Sequence, residues 1–215
     1  MNTVFAATLA AGPLVAGWSA HFTWLRRRLV TARRDPLTGL WTRPPFEEQA
    51  GRMAERGGVS VVFIDLDGFK QINDTHGHAA GDAVIRQAGA RLDGWMQVHG
   101  PGVAARLGGD EFAAAVRALS IDELVWSAGQ LQDALCEPIA YNGQAVTVGA
   151  SVGAVWSPRG AVAPLSVLLR RADEAMYAAK RGGGGVLVTD DPATARGSVN
   201  GRRPGRRGTS TGAPS

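Results

Sequence analysis

The chain has 215 residues, 45% of them hydrophobic, a formal charge of +4 and a single cysteine, which excludes an internal disulfide framework. Its basic character sits at the two ends: Arg26, Arg27, Arg28, Arg33 and Arg34 form one cluster, and Arg196, Arg202, Arg203, Arg206 and Arg207 another. Between them, residues 36–188 hold 13 Lys and Arg against 16 Asp and Glu, so the globular part is mildly acidic and the overall charge gives no argument for a specific nucleic-acid partner.

In chain order, residues 2–25 come first, without a formal charge and long enough to cross a bilayer as a helix. Trp18, Phe22 and Trp24 lie at the end nearest the arginines, as an interfacial belt would, and Gly12, Ala16 and Ala20 recur at a spacing that lets helices pack closely. Pro13 and the Ala/Gly/Thr-rich composition weigh the other way, so the stretch reads as a membrane anchor or, alternatively, as a soluble or interfacial packing helix. If it spans, the arginines that follow it place the rest of the chain in the cytoplasm, and their position after the apolar run argues against a cleaved signal peptide.

Residues 59–67 (VSVVFIDLD) are β-branched and predict a buried strand. Residues 79–95 have helical spacing at Val84, Ile85, Ala88 and Leu92. Residues 103–107 and 112–116 predict two short strands around Gly108-Gly109, a hairpin signal. Residues 121–135 read as a helix with Leu124, Leu131 and Leu135 on one side, and Cys136 in the same apolar run reads as core. Residues 145–156 predict one strand containing Gly149 and Gly153, residues 164–180 a helix stopped by RGGGG, and residues 186–188 an edge strand. Residues 189–215, rich in Gly, Arg, Ser, Thr and Pro, are expected to be a disordered basic tail. The order predicts an α+β fold with a ferredoxin-like β-α-β-β-α-β core and a mainly antiparallel sheet.

Two acidic sites stand out on this scaffold. Asp65 and Asp67 lie where the first strand runs out and, two residues apart, share one face. Asp110 and Glu111 follow the hairpin glycines. In a ferredoxin-like sheet these strands are neighbours, so the carboxylates converge at one sheet edge. Such oxygen ligands suit Mg²⁺, which is completed by substrate phosphates, and paired metals would clamp an in-line nucleotidyl transfer. Each site alone reads more readily as a turn former or helix cap. Together, with Lys70 between them to neutralise a triphosphate, they favour chemistry. Guanine offers two adjacent donors to a carboxylate, and Asn73 and Asp82 lie at loop and helix-start positions from which they could meet it, although Asp82 also reads as a helix cap. His76 and His78 lack a cysteine or third histidine to complete a zinc site.

At this point the sequence resembles a known family. RLGGDEF (residues 106–112) matches the signature of GGDEF domains, the diguanylate cyclases. DPLTGLWTR (35–43), FIDLDGFKQINDTHGHAAGD (63–82), VTVGASVGAV (146–155) and RADEAMYAAKRGGGG (171–185) resemble the family's other motifs in the expected order. The resemblance implies a palm-type nucleotidyl cyclase domain over residues 35–188, flanked by an N-terminal segment, 1–34, and a tail, 189–215. It implies condensation of two GTP into cyclic di-GMP with release of two pyrophosphates, across a homodimer, with two Mg²⁺ (or Mn²⁺) per active site. By position, Asp65, the Leu66 carbonyl, Asp110 and Glu111 would hold metal, with Asp110 also accepting the proton of the 3′-hydroxyl and Glu111 supporting the site. Lys70 would stabilise the transition state, Asn73 and Asp82 would hold guanine, and His78 would lie at the substrate site. Lys180 would contact phosphate, while Gly108 and Gly109 would let nucleotide approach the backbone. With the apolar stretch, the resemblance implies a cytoplasmic catalytic domain at the inner membrane, or otherwise a cytoplasmic protein.

The departures from the family pattern carry their own expectations. Where members with product feedback carry R-x-x-D before the signature, this chain has His99 and Gly102, so that inhibitory site is expected to be absent. Thr42 and Pro44 depart from the opening motif and are expected to alter the helix leading into the domain. Gly184 stands where an arginine would touch phosphate, which leaves open a degenerate domain acting as a nucleotide-responsive binding or scaffold module.

Overall fold

The computed structural model of the chain describes residues 33–117 and 120–190. The expectations for residues 2–25 and for the tail lie outside these residues. Among the described residues, no helix is long and apolar enough to cross a membrane.

The elements run α1 (Arg43–Glu55), β1 (Val59–Asp67), α2 (Phe69–His76), α3 (His78–Val98), β2 (Gly102–Gly108), β3 (Glu111–Arg117), α4 (Ile121–Cys136), β4 (Ile139–Tyr141), β5 (Gln144–Val146), β6 (Gly149–Trp156), α5 (Leu165–Arg181) and β7 (Gly185–Asp190). Five strands form one sheet in the order β2-β3-β1-β6-β7, and β4 pairs with β5 apart from it. The pairs β2–β3, β3–β1 and β1–β6 are antiparallel, as a ferredoxin-like core requires, while β6–β7 is parallel. The expected α+β class and sheet are therefore present.

β1 runs through the middle of the sheet, and its apolar residues are buried on both faces. Val62, Ile64 and Leu66 pack with Val84, Ile85 and Leu92 of α3 and Leu124 and Leu131 of α4. Val61 and Phe63 face the other way, against Phe46 and Ala50 of α1 and Leu168 and Ala172 of α5. Helices thus cover both faces. This explains why the β1 sequence is a continuous apolar run rather than an alternating one.

Several local expectations are corrected. Residues 145–156 are not one strand: the chain leaves β5 after Val146 and resumes as β6 at Gly149. Residues 69–76 form a helix, so Asn73 stands on α2 and not in a loop. The expectation for the helix leading into the domain lies outside the described residues; within them, Pro44 helps to start α1. The prolines occupy the first turn of α1, where an N–H has no intrahelical acceptor in any case. Cys136 is only half-buried, packed at the margin of the core, and accepts a hydrogen bond from Gln132 Nε2 at 3.3 Å. Burial raises its thiol pKa.

Candidate active site

The strand register builds the site. On β1, Asp65 stands opposite Glu111 of β3 and Ser151 of β6, and Asp67 stands opposite Gly149. Period-two alternation puts Asp65, Asp67 and Phe63 on the face shared with α1 and α5. Asp110 belongs to the turn rather than to β3, and its carbonyl accepts the Leu66 N–H at 3.3 Å. That bond ties the signature turn to the end of β1. The Leu66 side chain is buried in the opposite core, which leaves only its backbone for any ligand.

Lys180, in the last turn of α5, completes the cluster. Its Nζ donates to Asp65 Oδ1 and lies 3.8 Å from Asp67 Oδ1. Burial works against the ammonium, but the hydrogen bond to Asp65 and the charges of Asp65, Asp67 and Asp110 outweigh it and raise its pKa. Both oxygens of Asp67 lie 2.9 Å from Ser151 Oγ, within reach of its hydroxyl proton. Burial raises the Asp110 carboxyl above its ordinary value and the charge of Asp65 adds to this, against the pull of its own backbone, Lys180 and Arg106. Glu111 is also raised, first by burial and then by Asp65, Asp110 and Asp173, with Arg43 opposing from 4.0 Å.

The signature turn is braced from a distance. Arg106 donates from Nε and Nη2 to the Gly109 carbonyl, at 2.9 and 2.7 Å, and its Nη1 reaches Asp35 Oδ2 at 3.2 Å. Asp35 also accepts from the backbone N and the hydroxyl of Thr38, at 2.9 and 2.8 Å. Burial tends to raise its carboxyl, but the Thr38 hydrogen bonds and Arg106 prevail and hold it below the ordinary value. Trp41 lies along the outer edge of β2, donating to the Ala104 carbonyl at 3.2 Å and accepting from the Arg106 N–H at 3.0 Å. The Arg34 guanidinium stacks 3.6 Å from its ring centroid.

The structure therefore brings together Asp65, Asp110, Glu111 and Lys180, with the Leu66 backbone beside them. Lys70 lies exposed on the first turn of α2 and enters none of these contacts. Asn73 is half-buried where α2 meets α3, against Gly81: a Cβ at residue 81 would lie 2.0 Å from Asn73 Oδ1. Asp82 and His78 are exposed on the first turns of α3, and Gly108 and Gly109 are exposed at the hairpin. Asp67 stands beside Asp65 at the strand end as expected, whereas Ser151, Arg106, Asp35, Arg43 and Gly81 carry no individual role in the sequence pattern. Most of these contacts join residues far apart in the chain, as Asp67 with Ser151 and Asp35 with Arg106, so local patterning carries no signal for them.

The donor set suits a hard divalent cation. Among the described residues, no three His, Cys, Asp or Glu side chains gather closely enough to hold a metal by themselves. Two mutually repelling carboxylates, Asp65 and Asp110, with a lysine ammonium already standing beside them, nevertheless mark a place where positive charge is stabilised. Mg²⁺ is commonly held in this way, by one or two carboxylates and the substrate's phosphates.

The profile of the diguanylate cyclase, GGDEF domain, family matches residues 32–185. An uncharacterized 19.3 kDa protein of Streptomyces ambofaciens is 46% identical over 181 residues, which cover 84% of this chain and 94% of that protein. The chain spans only 20% of an uncharacterized signaling protein of Caulobacter vibrioides to which it is 37% identical. Among solved structures, a Pseudomonas aeruginosa protein (TpbB or YfiN) comprising only its GGDEF domain superposes with a TM-score of 0.66 at 34% identity, covering 76% of this chain and 98% of that one. The coiled coil and GGDEF domain of Caulobacter crescentus DgcB, in complex with c-di-GMP, gives a TM-score of 0.65 at 26% identity, covering 87% and 100%.

Proposed function

Because the chain belongs to the GGDEF domain family, we propose that it is a diguanylate cyclase, joining two GTP molecules into cyclic di-GMP with release of two pyrophosphates. The observation that carries this reading is the convergence of Asp65 and Asp110 on the Lys180 ammonium at one strand end, with Glu111 opposite Asp65 on β3. We read residues 35–188 as the catalytic domain.

In the proposed reaction, Asp65, the Leu66 carbonyl and Asp110 hold divalent cations, with Glu111 in support. The bound cations would supply charge neutralisation for the triphosphate and acidify the attacking hydroxyl. Asn73 and Asp82 accept the guanine donors from the α2–α3 junction, and His78 borders the nucleotide. Gly108 and Gly109 leave the hairpin open to the ribose and phosphates, while Lys70 and Lys180 meet the negative charge that grows at the phosphorus. Asp110 takes the proton of the 3′-hydroxyl, which the bound cations would make more acidic. Each 3′-hydroxyl must attack the other nucleotide's α-phosphate, so two chains face one another and the rate per chain rises with protein concentration.

Purified full-length chain with GTP and Mg²⁺ is expected to form cyclic di-GMP. Asp110→Asn is expected to lower kcat by about 10²-fold or more while the circular dichroism spectrum stays unchanged. Full activity in that variant overturns Asp110 as the proton acceptor.

One observation favours a second reading, a binding module that does not turn over. Gly184 has φ +96°, and a Cβ there would lie 3.2 Å from Asp67 Oδ2, so the backbone resists an arginine at this place. Tight GTP binding without product at high protein concentration would select that reading.

A further inference from the structure

Lys180 stands where a cation bound to Asp65 would have to be accommodated. Its Nζ is hydrogen-bonded to Asp65 Oδ1, with Asp67 Oδ1 at 3.8 Å and the charge of Asp110 also acting on it. The Asp65 side chain is 16% exposed, so solvent reaches little of it outside this contact. We propose that Lys180 is a built-in competitor for the metal at Asp65, moving onto the substrate's phosphates when nucleotide arrives, so that metal loading waits on nucleotide. The proposal rests on the metal-dependent reading of the site given above.

Three features support the exchange. First, an ammonium and a divalent cation sharing one partly buried carboxylate repel each other strongly, because interior charges are poorly screened. One of them must yield, and the ammonium is on a long rotatable stem. Second, Lys180 has somewhere to go and something to keep it near. It sits in the last turn of α5 with 41% of its side chain exposed, so the stem can swing without disturbing the core. Asp67, braced by Ser151, holds a second carboxylate within its reach. Third, Gly184 offers no side chain to the phosphates, so the phosphate charge at this edge falls to the cations that end α5, Lys180 and Arg181. A triphosphate arriving there attracts Lys180 away from Asp65 while adding its own oxygens to the metal's ligand set.

Any metal site gains affinity when a nucleotide supplies phosphate ligands, so that gain alone decides nothing. The discriminating quantity is metal affinity without nucleotide. Mn²⁺ binding to the full chain is measured by electron paramagnetic resonance for the wild type, Lys180→Met, Lys180→Arg and the double variant Asp65→Asn/Lys180→Met. Lys180→Met is expected to bind Mn²⁺ about tenfold more tightly than wild type, Lys180→Arg to resemble wild type, and the double variant to lose the gain. Equal or weaker binding by Lys180→Met overturns the proposal, and so does a gain that survives Asp65→Asn. No turnover enters the measurement. A chain that makes no cyclic di-GMP but shows the expected Mn²⁺ pattern refutes the cyclase reading and leaves the competition standing.

Discussion

At the residue scale, one glycine carries more specificity than its side chain suggests. Gly81 lies inside α3, where alanine is ordinarily better by about 0.5–1 kcal/mol. Its missing Cβ leaves room for the Asn73 carboxamide, and an alanine there would put Cβ 2.0 Å from Asn73 Oδ1 and 3.2 Å from Phe69 Cζ. The side chain at 73 must then rotate away, and the proposed guanine contact goes with it. Gly81→Ala is expected to raise the KM for GTP about fivefold or more, with kcat changed far less and melting temperature close to wild type. A parallel fall in kcat at unchanged KM would contradict a role in base recognition. The sequence shows a glycine in a helical pattern at this point, and nothing local marks it as a seat for Asn73, eight residues earlier.

At the element scale, the strands that carry the acids were readable and the segments that brace them were not. The β-branched run at 59–67 and the glycine hairpin at 108–109 have local causes, and both form where expected. The α2 helix escaped because a short polar stretch with glycines at both ends resembles a loop. The opening DPLTGL could be recognised as a motif, but its function as a brace depends on Arg106, 71 positions away. There Asp35 holds Arg106, and Arg106 holds the Gly109 carbonyl at the signature turn. Asp35→Asn removes the charge from the first link and is expected to cost about 1–3 kcal/mol at pH 7, as loss of a charge-assisted hydrogen bond does. The pH dependence follows from the direction of the shift. Asp35 is lowered from 3.8 on folding, so its contribution is fully present above that value and lost as pH falls through the lower folded value. Denaturant titrations of wild type and Asp35→Asn should therefore differ most at neutral pH and converge as the pH falls below 3.8. A constant difference across that range would mean that the Asp35 charge is not what braces the turn.

At the scale of the whole molecule, the question is what stops the proposed reaction. The left flank of the signature bears on one route. His99 closes the end of α3 with its ring packed 4.7 Å from that of Trp95. Gly102 opens β2 opposite Val116, where a Cβ would lie 2.4 Å from the Ala115 carbonyl oxygen and 2.6 Å from Met96 Cε. An aspartate cannot enter at 102 without moving the β2–β3 pair or the end of α3. The lack of an R-x-x-D pair is therefore matched by backbone packing that leaves no room for its acid. Cyclic di-GMP is then expected to act on turnover only by occupying the substrate site. Initial rates at saturating product should show a higher apparent KM for GTP with unchanged maximal velocity. Strong inhibition that GTP cannot relieve would place a product site elsewhere on the molecule. Restoring only the charges, with His99→Arg and Gly102→Asp together, should not create feedback. The second substitution should instead lower the melting temperature, because residue 102 packs too closely against β3 and α3 to take a side chain.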